Sequence, residues 1–389
     1  MPHSHSLIAA WARTAVVPRG GAFKALQAHE MAAPVVQALL QRAGLDAANV
    51  NAVVGNALGA GGNPARMLAL HAGLPLACPA YTVDTQCCAG LDAVAMGAAL
   101  IASGQADVVV AGGMEAWSRS PIRMHRPLND NDAPVAYERP AFAPTPEQDP
   151  DMLLSAARYA AQHGYTRAQQ EAYALRSHGI AVAHQADMAH EIIPLAGVTH
   201  DAYPRLLDAA RAARMPAMVG TDDERMSNPE AYALSPLTIS AQADGAAFVL
   251  LISPSAAQRL AVRAPVAWVS NASVGGAPEF PLTAAELAAR EALKRAQVSD
   301  ANTLHSVELH DAFAVQGLSF ATGLRLSTES LNPLGGGLAR GHPIGASGAI
   351  ALVRLLANLE RDGQVGDQGL VAVAGAGGLG AAAVVSRRL

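Results

Sequence analysis

The chain has 389 residues, of which 51% are apolar and only 15% charged, with 35 glycines and 24 prolines. That length exceeds two typical domains, and the composition excludes a disordered or coiled-coil chain. The balance of 27 Lys+Arg against 32 Asp+Glu, a net charge of −5 with no basic run, gives no footing for a nucleic-acid or membrane-surface partner.

Residues 1–17 lack a basic n-region, and Arg13 interrupts their apolar stretch, so they do not read as a signal peptide. A short strand is expected at Ala52–Gly55. Tyr81–Gly90 reads as a strand running into a tight turn, and Leu91–Ser103 as an Ala-rich helix. Asp107–Gly113 reads as a strand buried on both faces. Residues 119–150 are rich in Pro, Asn and Asp and show no sustained period. Thr166-Arg-Ala-Gln169 is a capping-box start to a helix carrying Tyr173, Leu175 and Ile180. Thr221–Ser240 is irregular again, before an apolar strand at Ala246–Ile252. A new series opens at Pro265–Val269, with a helix capped at Thr283-Ala-Ala-Glu286 and ending near Arg295. A strand at Ser306–Leu309, a glycine-rich turn at Gly335–Gly348, a helix at Ala349–Leu359 and a strand at Leu370–Gly375 follow.

The two series share one plan, which predicts an α/β protein of two related halves with mixed or parallel sheets and crossover helices. The first half takes residues 1–118 and 245–262, and the second takes 263–389. Residues 119–244 form an inserted loop domain expected to cover a substrate. The longest uncharged run, 369–386, is too rich in Gly and Ala for a membrane span. A soluble, cytoplasmic protein is the expectation.

Cys78, Cys87 and Cys88 cannot build a disulfide framework, and no CxxC or HxxxH spacing supplies zinc ligands. A reducing compartment is implied, where a cysteine is either inert packing or a reactive thiol. Cys87 and Cys88 fall where a strand turns into a helix, whose free N–H groups stabilise a thiolate or an oxyanion. Two small buried residues at a tight turn fit equally. His342, in Gly341-His-Pro343, is placed at the N-cap of the matching helix in the second half, since proline suits a first helical turn. The two helix N-termini would then meet and give a nucleophile with its general base, although Gly-His-Pro by itself is more often a plain turn. His310 ends a strand that points at the ligand crevice of an α/β sheet, or is a hydrogen-bonded core histidine. Gly375-Ala-Gly-Gly-Leu-Gly380 matches a dinucleotide fingerprint, but only nine residues follow it, too few for the helix, strand and acidic residue such a site needs.

Together these segments resemble the thiolase family along nearly the whole chain. Arg13-Thr-Ala, Gly55-Asn56, Asn63-Pro-Ala-Arg66, Ala111-Gly-Gly-Met-Glu115 and Ser118-Arg-Ser-Pro121 match in order. Val83-Asp-Thr-Gln-Cys-Cys-Ala-Gly-Leu91 resembles the nucleophile motif, and Asn332–Gly348 resembles N-x-x-G-G-x-x-x-x-G-H-P-x-G-x-S-G. The resemblance implies an acyl-CoA acyltransferase of lipid metabolism, at least dimeric and working through acyl-Cys87 by Claisen condensation or thiolysis. His342 is then the activating base, and coenzyme A thioesters are substrates, with no separate cofactor or metal. His310-Asp-Ala-Phe313 resembles the H-D-C-F motif of the sterol-carrier-protein type. It implies that His310 and His342 donate to a thioester oxygen while backbone N–H groups at Cys87 and near Ala376 hold a second oxyanion. Ala312, Phe313, Ser240 and Arg225 are the implied substrate contacts. The family's second cysteine would fall at Ala374, or at Ala312 in the sterol-carrier type, and no cysteine follows residue 88. The remaining Cys-His-His set also resembles ketoacyl synthases, so decarboxylative or simple acyl transfer is the second mechanism. A non-catalytic subunit that binds CoA thioesters and a thioester hydrolase are the other classes that fit.

Overall fold

The computed structural model describes residues 6–55, 61–219 and 229–389. In the first half, β1 (Leu7–Thr14) and β2 (Val17–Pro18) precede α1 (Ala28–Ala43), β3 (Ala52–Gly55), α2 (Pro64–His71) and β4 (Ala80–Thr82). Then come α3 (Ala89–Ala102) and β5 (Val108–Ala116). A long excursion follows, comprising a hairpin of β6 (Arg123–His125) and β7 (Val135–Tyr137), α4 (Met152–His163), α5 (Arg167–Ala183), β8 (Ile192–Ile193) and α6 (Ala209–Ala213). The chain returns to the first sheet at β9 (Ala243–Ile252) and leaves it through α7 (Pro254–Arg259). The second half holds β10 (Val266–Gly275), α8 (Ala284–Arg295), β11 (Ser306–His310), α9 (Ala314–Leu324), α10 (Gly337–Arg340), α11 (Ser347–Asp362), β12 (Gln368–Gly375) and β13 (Leu379–Arg387).

The duplication expected from the sequence is written in the strand pairing. In the first half β3 lies parallel to β5, which is antiparallel to β9, which is antiparallel to β1. In the second half β11 lies parallel to β12, β12 antiparallel to β13, and β13 antiparallel to β10. Even the edge repeats, since β4 runs parallel to β3 and a single parallel bridge, Val307 to Leu331, takes its place beside β11. The two sets join through a short antiparallel contact of β1 with β10 at Leu7–Ala267 and Ile8–Val266.

Side-chain alternation along these strands builds a helix–sheet–helix–sheet–helix stack. Val108, Val110, Phe248 and Leu250 pack outward with Met31, Val35 and Leu39 of α1. Their neighbours Val109, Ala111, Val249 and Leu251 face inward onto Val94 of α3 and Leu352 of α11. Val371, Val373, Ala383 and Val385 close on the same two helices from the other side, while Leu370, Ala372, Ala382 and Val384 pack on the alanines of α8. Strands buried on both faces explain the continuous apolar runs of the sequence. Small residues let the central helices approach closely: a Cβ at Gly90 would lie 2.7 Å from the carbonyl oxygen of Gly345.

One local expectation is corrected here. Thr283 makes no side-chain cap to α8 and its hydroxyl donates to the Phe280 carbonyl, because Pro281 starts a 3-10 turn there. The apparent dinucleotide fingerprint is the hairpin between β12 and β13, with Gly377 and Gly378 at positive φ. By contrast, Thr166 and Gln169 form the capping box that starts α5.

A buried ionic cluster ties the excursion to both halves. Arg13 of β1 bonds Glu191 at 2.6 Å and grips Asp201 through both terminal nitrogens at 2.6 and 3.0 Å. Arg354 of α11 donates to the other Glu191 oxygen and to Asn358. Among the described residues no helix is long and apolar enough to cross a membrane.

Candidate active site

The chain leaves β4 and folds into a 3-10 turn, Gln86–Cys88, that runs straight into α3. Gln86 holds φ at +56°, a left-handed conformation that costs a non-glycine residue about 1–2 kcal/mol. The two cysteines that follow have different surroundings. Cys88 is 1% exposed, with its sulfur 3.6 Å from the Val373 carbonyl. Cys87 is half-buried and lines a cavity of about 870 Å³.

In the second half the matching turn is Ile344–Ala346, leading into α11. His342 stands before that turn, so it is not the helix N-cap expected from Gly-His-Pro; Ala346 holds that position. The geometry with Cys87 is nevertheless direct, with His342 Nε2 3.2 Å from Cys87 Sγ. His342 Nδ1 lies 2.8 Å from Ser347 Oγ, whose own proton goes to the Pro343 carbonyl at 2.9 Å. Ser347 therefore accepts from Nδ1–H, which leaves Nε2 as a lone pair facing the thiol. The backbone is held on both sides as well. His342 N donates to the Ala241 carbonyl at 2.6 Å, and Trp117 Nε1 donates to the His342 carbonyl at 3.1 Å.

Burial keeps both groups neutral at rest. It pushes the Cys87 thiol up to about 12, opposed by the backbone N–H groups of Ala376 and Cys87. It draws His342 down to about 4. A thiol beside a neutral imidazole suits proton transfer during attack.

His310 stacks on His342 with ring centroids 4.4 Å apart and planes 25° apart. It is 4% exposed, its Nε2 has no hydrogen-bond partner among the described residues, and it lies behind His342 rather than in the cavity wall. Burial, with help from His342 and Arg340, holds it well below the usual histidine range. A Cβ at Gly337 would lie 2.3 Å from His310 Nδ1, so the glycine-rich turn makes the room the imidazole occupies. The next residue, Asp311, is fully buried and accepts from Tyr173 Oη at 2.8 Å and Leu338 N at 3.1 Å. Those bonds anchor the end of β11 to α5 and α10.

Ala312, Phe313, Ser240, Ala374 and Ala376 line the cavity with Cys87 and His342. Ser240 Oγ is committed to the Gly337 carbonyl at 2.8 Å. Arg225 lies outside the described residues, as does Asn56. The sequence reading did not single out Trp117, Glu115, Ser347 or Gln86. Glu115 accepts from Gly345 N at 3.1 Å and so fixes the turn that carries the His342 loop.

Iodoacetamide is expected to alkylate Cys87 at least about tenfold faster than Cys88, read by peptide mass spectrometry, since only Cys87 opens on the cavity. Faster loss of Cys88 would reverse the assignment.

Residues 6–255 match the thiolase N-terminal domain and residues 263–387 the thiolase C-terminal domain. The chain belongs to the thiolase family. It is 34% identical to an acetyl-CoA acetyltransferase of Chromobacterium violaceum, over 98% of this chain and 99% of that protein. The crystal structure of the Bacillus anthracis acetyl-CoA acetyltransferase superposes with a TM-score of 0.88 at 27% identity, covering 99% of each chain. The Acat5 thiolase of Ascaris suum, solved in complex with coenzyme A, gives a TM-score of 0.88 at 25% identity, covering 98% of this chain and 100% of that one. These thiolase-fold neighbours match the duplicated α/β architecture described above.

Proposed function

We propose that this thiolase-family acyltransferase transfers acyl groups of CoA thioesters through Cys87, with His342 as its base. The observation that carries the reading is the 3.2 Å contact of Cys87 Sγ with an imidazole nitrogen whose proton is committed to the other side of the ring. In the first step the thiol proton passes to His342 Nε2, the sulfur bonds the acyl carbon, and the bond from that carbon to the CoA sulfur breaks. His342 returns the proton to the departing thiolate. The backbone N–H groups of Cys87 and Ala376, both directed at the sulfur, support an oxyanion there.

The H-D-A-F resemblance makes His310 a donor to the thioester oxygen of a second substrate, but here its Nε2 is sealed behind His342, outside the cavity wall, so His310 acts by packing against the imidazole of His342. Ala312 and Ala374 face the same cavity with methyl groups, which cannot take an α-proton. Residues 119–244 supply the cover, and Phe313 and Ser240 a wall for the acyl-CoA. A second copy of the chain is assigned to the edge of the sheet at β4, where Met67, Leu70, Leu76 and Tyr81 are exposed.

Incubation with acetyl-CoA should add one acetyl mass to the intact protein, and Cys87→Ala should abolish the adduct. No adduct with acetyl-, butanoyl- or hexanoyl-CoA would favour a binding subunit, and hydrolysis without any acceptor would favour a thioesterase.

A further inference from the structure

A buried charge pair beside the two histidines plays no part in the proton transfer described above. Side chains alternate along β11, so that Val307 and Leu309 pack with the alanines of α8 while Ser306, Glu308 and His310 take the opposite face. On that face Asn358 of α11 donates to Ser306 Oγ at 3.1 Å and to Glu308 Oε1 at 2.9 Å. Glu308 Oε2 has no hydrogen-bond partner among the described residues and lies 4.0 Å from Arg340 Nη2. Arg340, the last residue of α10, is 1% exposed. Its Nη1 donates to the Gly335 carbonyl, and its Nε is unpartnered among the described residues. Glu308 stands two residues before His310, and Arg340 two residues before His342. The charge pair and the stacked imidazoles therefore bridge the same two segments. Arg340 also feels Arg13, Arg354 and Asp201, and Glu308 feels Arg354 and Glu191. That sets three guanidiniums against three carboxylates in one buried cluster, which is neutral only while Glu308 is ionised.

The balance bears on the base. Arg340 already helps to hold His310 below the usual histidine range. His342, stacked on His310, turns positive when it takes the Cys87 proton. A guanidinium deprived of its carboxylate opposes that positive charge across a water-poor interior, where charges act more strongly than in solvent. We infer that Glu308 is a positioning residue for acyl transfer, acting through Arg340: its carboxylate holds and offsets the guanidinium, and its protonation slows the attack of Cys87. Burial pushes Glu308 from 4.5 up to about 7, against the pull of Arg354 and Arg340 and with the push of Glu191. The Cys87 thiol and the His342 imidazole titrate far from there. The effect on the fold has the opposite sign. A carboxylic acid with a raised pKa binds its proton more tightly folded than unfolded. Its contribution to stability is present below about pH 4.5 and is lost as pH rises through about 7. Rate and stability thus diverge with pH. This inference rests on acylation of Cys87 with His342 as its base, as proposed above.

Single-turnover acylation of the wild-type protein by acetyl-CoA, followed by intact mass from about pH 6 to pH 8.5, should rise about threefold to a plateau, with its midpoint near 7. Most of the step lies above about pH 6.5, clear of the acid range in which His342 itself fails. Glu308→Gln keeps the acceptor for Asn358 and cannot ionise. Its acylation should stay flat at the low plateau, with KM for acetyl-CoA within about twofold of the wild-type value. Over the same range the urea midpoint of the wild type should fall relative to that of Glu308→Gln. A wild-type rate that is constant overturns the inference. So does one that climbs about tenfold per pH unit without a plateau, as ionisation of the thiol would make it. A step that survives in Glu308→Gln overturns it too, as does a variant whose rate and stability are lowered together at every pH. Cys87 left unacylated at every pH overturns the acyl-enzyme reading itself, and the inference falls with it.

Discussion

His342→Ala is expected to slow acylation of Cys87 by about 10²–10⁴-fold, with far less effect on acyl-CoA binding, because the loss removes the base but only one of many side chains that line the cavity. Single-turnover mass spectrometry against acetyl-CoA measures the rate, and an unchanged rate would take His342 out of the mechanism. The pH profile adds an independent signature. The imidazole, drawn down to about 4 by burial, keeps its accepting lone pair as pH falls, and loses it only near that value. The thiol, pushed up to about 12, stays protonated across the neutral range. Acylation should therefore be flat between about pH 6.5 and pH 5, where a base with an ordinary histidine pKa would already be failing. Ser347→Ala should give a smaller loss, since it frees the tautomer without removing the ring.

Glu191→Gln should destabilise the fold by about 3–5 kcal/mol, measured by urea denaturation. The change preserves shape but removes the charge of the carboxylate that Arg13 and Arg354 share. Both guanidiniums are fully buried, so water cannot compensate. Against a typical total stability of 5–15 kcal/mol, the loss is a large fraction of what holds the protein together. A change below about 1 kcal/mol would mean that the cluster is dispensable.

What could be read in the sequence was what is local. Continuous apolar strands, glycine-rich turns and an alanine-rich helix each announce themselves within a dozen residues, so the two related halves were legible. So was the pairing of Cys87 with His342, because both motifs lie at turns that lead into helices. The precise seat of His342 was not, since the 3-10 turn at Ile344–Ala346 inserts between it and α11. The cap at Thr283 failed for the same kind of reason: Pro281 takes the preceding turn out of the geometry a cap requires. Arg13 and Glu191 stand 178 residues apart, and Trp117 bonds a carbonyl 225 residues away. No pattern along the chain encodes such partners. Pairing of β9 with both β5 and β1, across the whole excursion, is likewise a property of the folded sheet.

The grip on His342 comes from two points that bracket the excursion: Trp117, just after it leaves β5, and Ala241, just before it rejoins at β9. The two roots of the excursion and the backbone of His342 are thus joined by two hydrogen bonds. A substitution that shifts either root therefore bears directly on the residue that carries the imidazole. The hairpin β6–β7 makes neither of these bonds, although its residues Arg123, Ala136 and Tyr137 line the same cavity. Those positions can change while the proton-transfer pair stays in register, which separates the freedom to change substrate from the obligation to keep the chemistry.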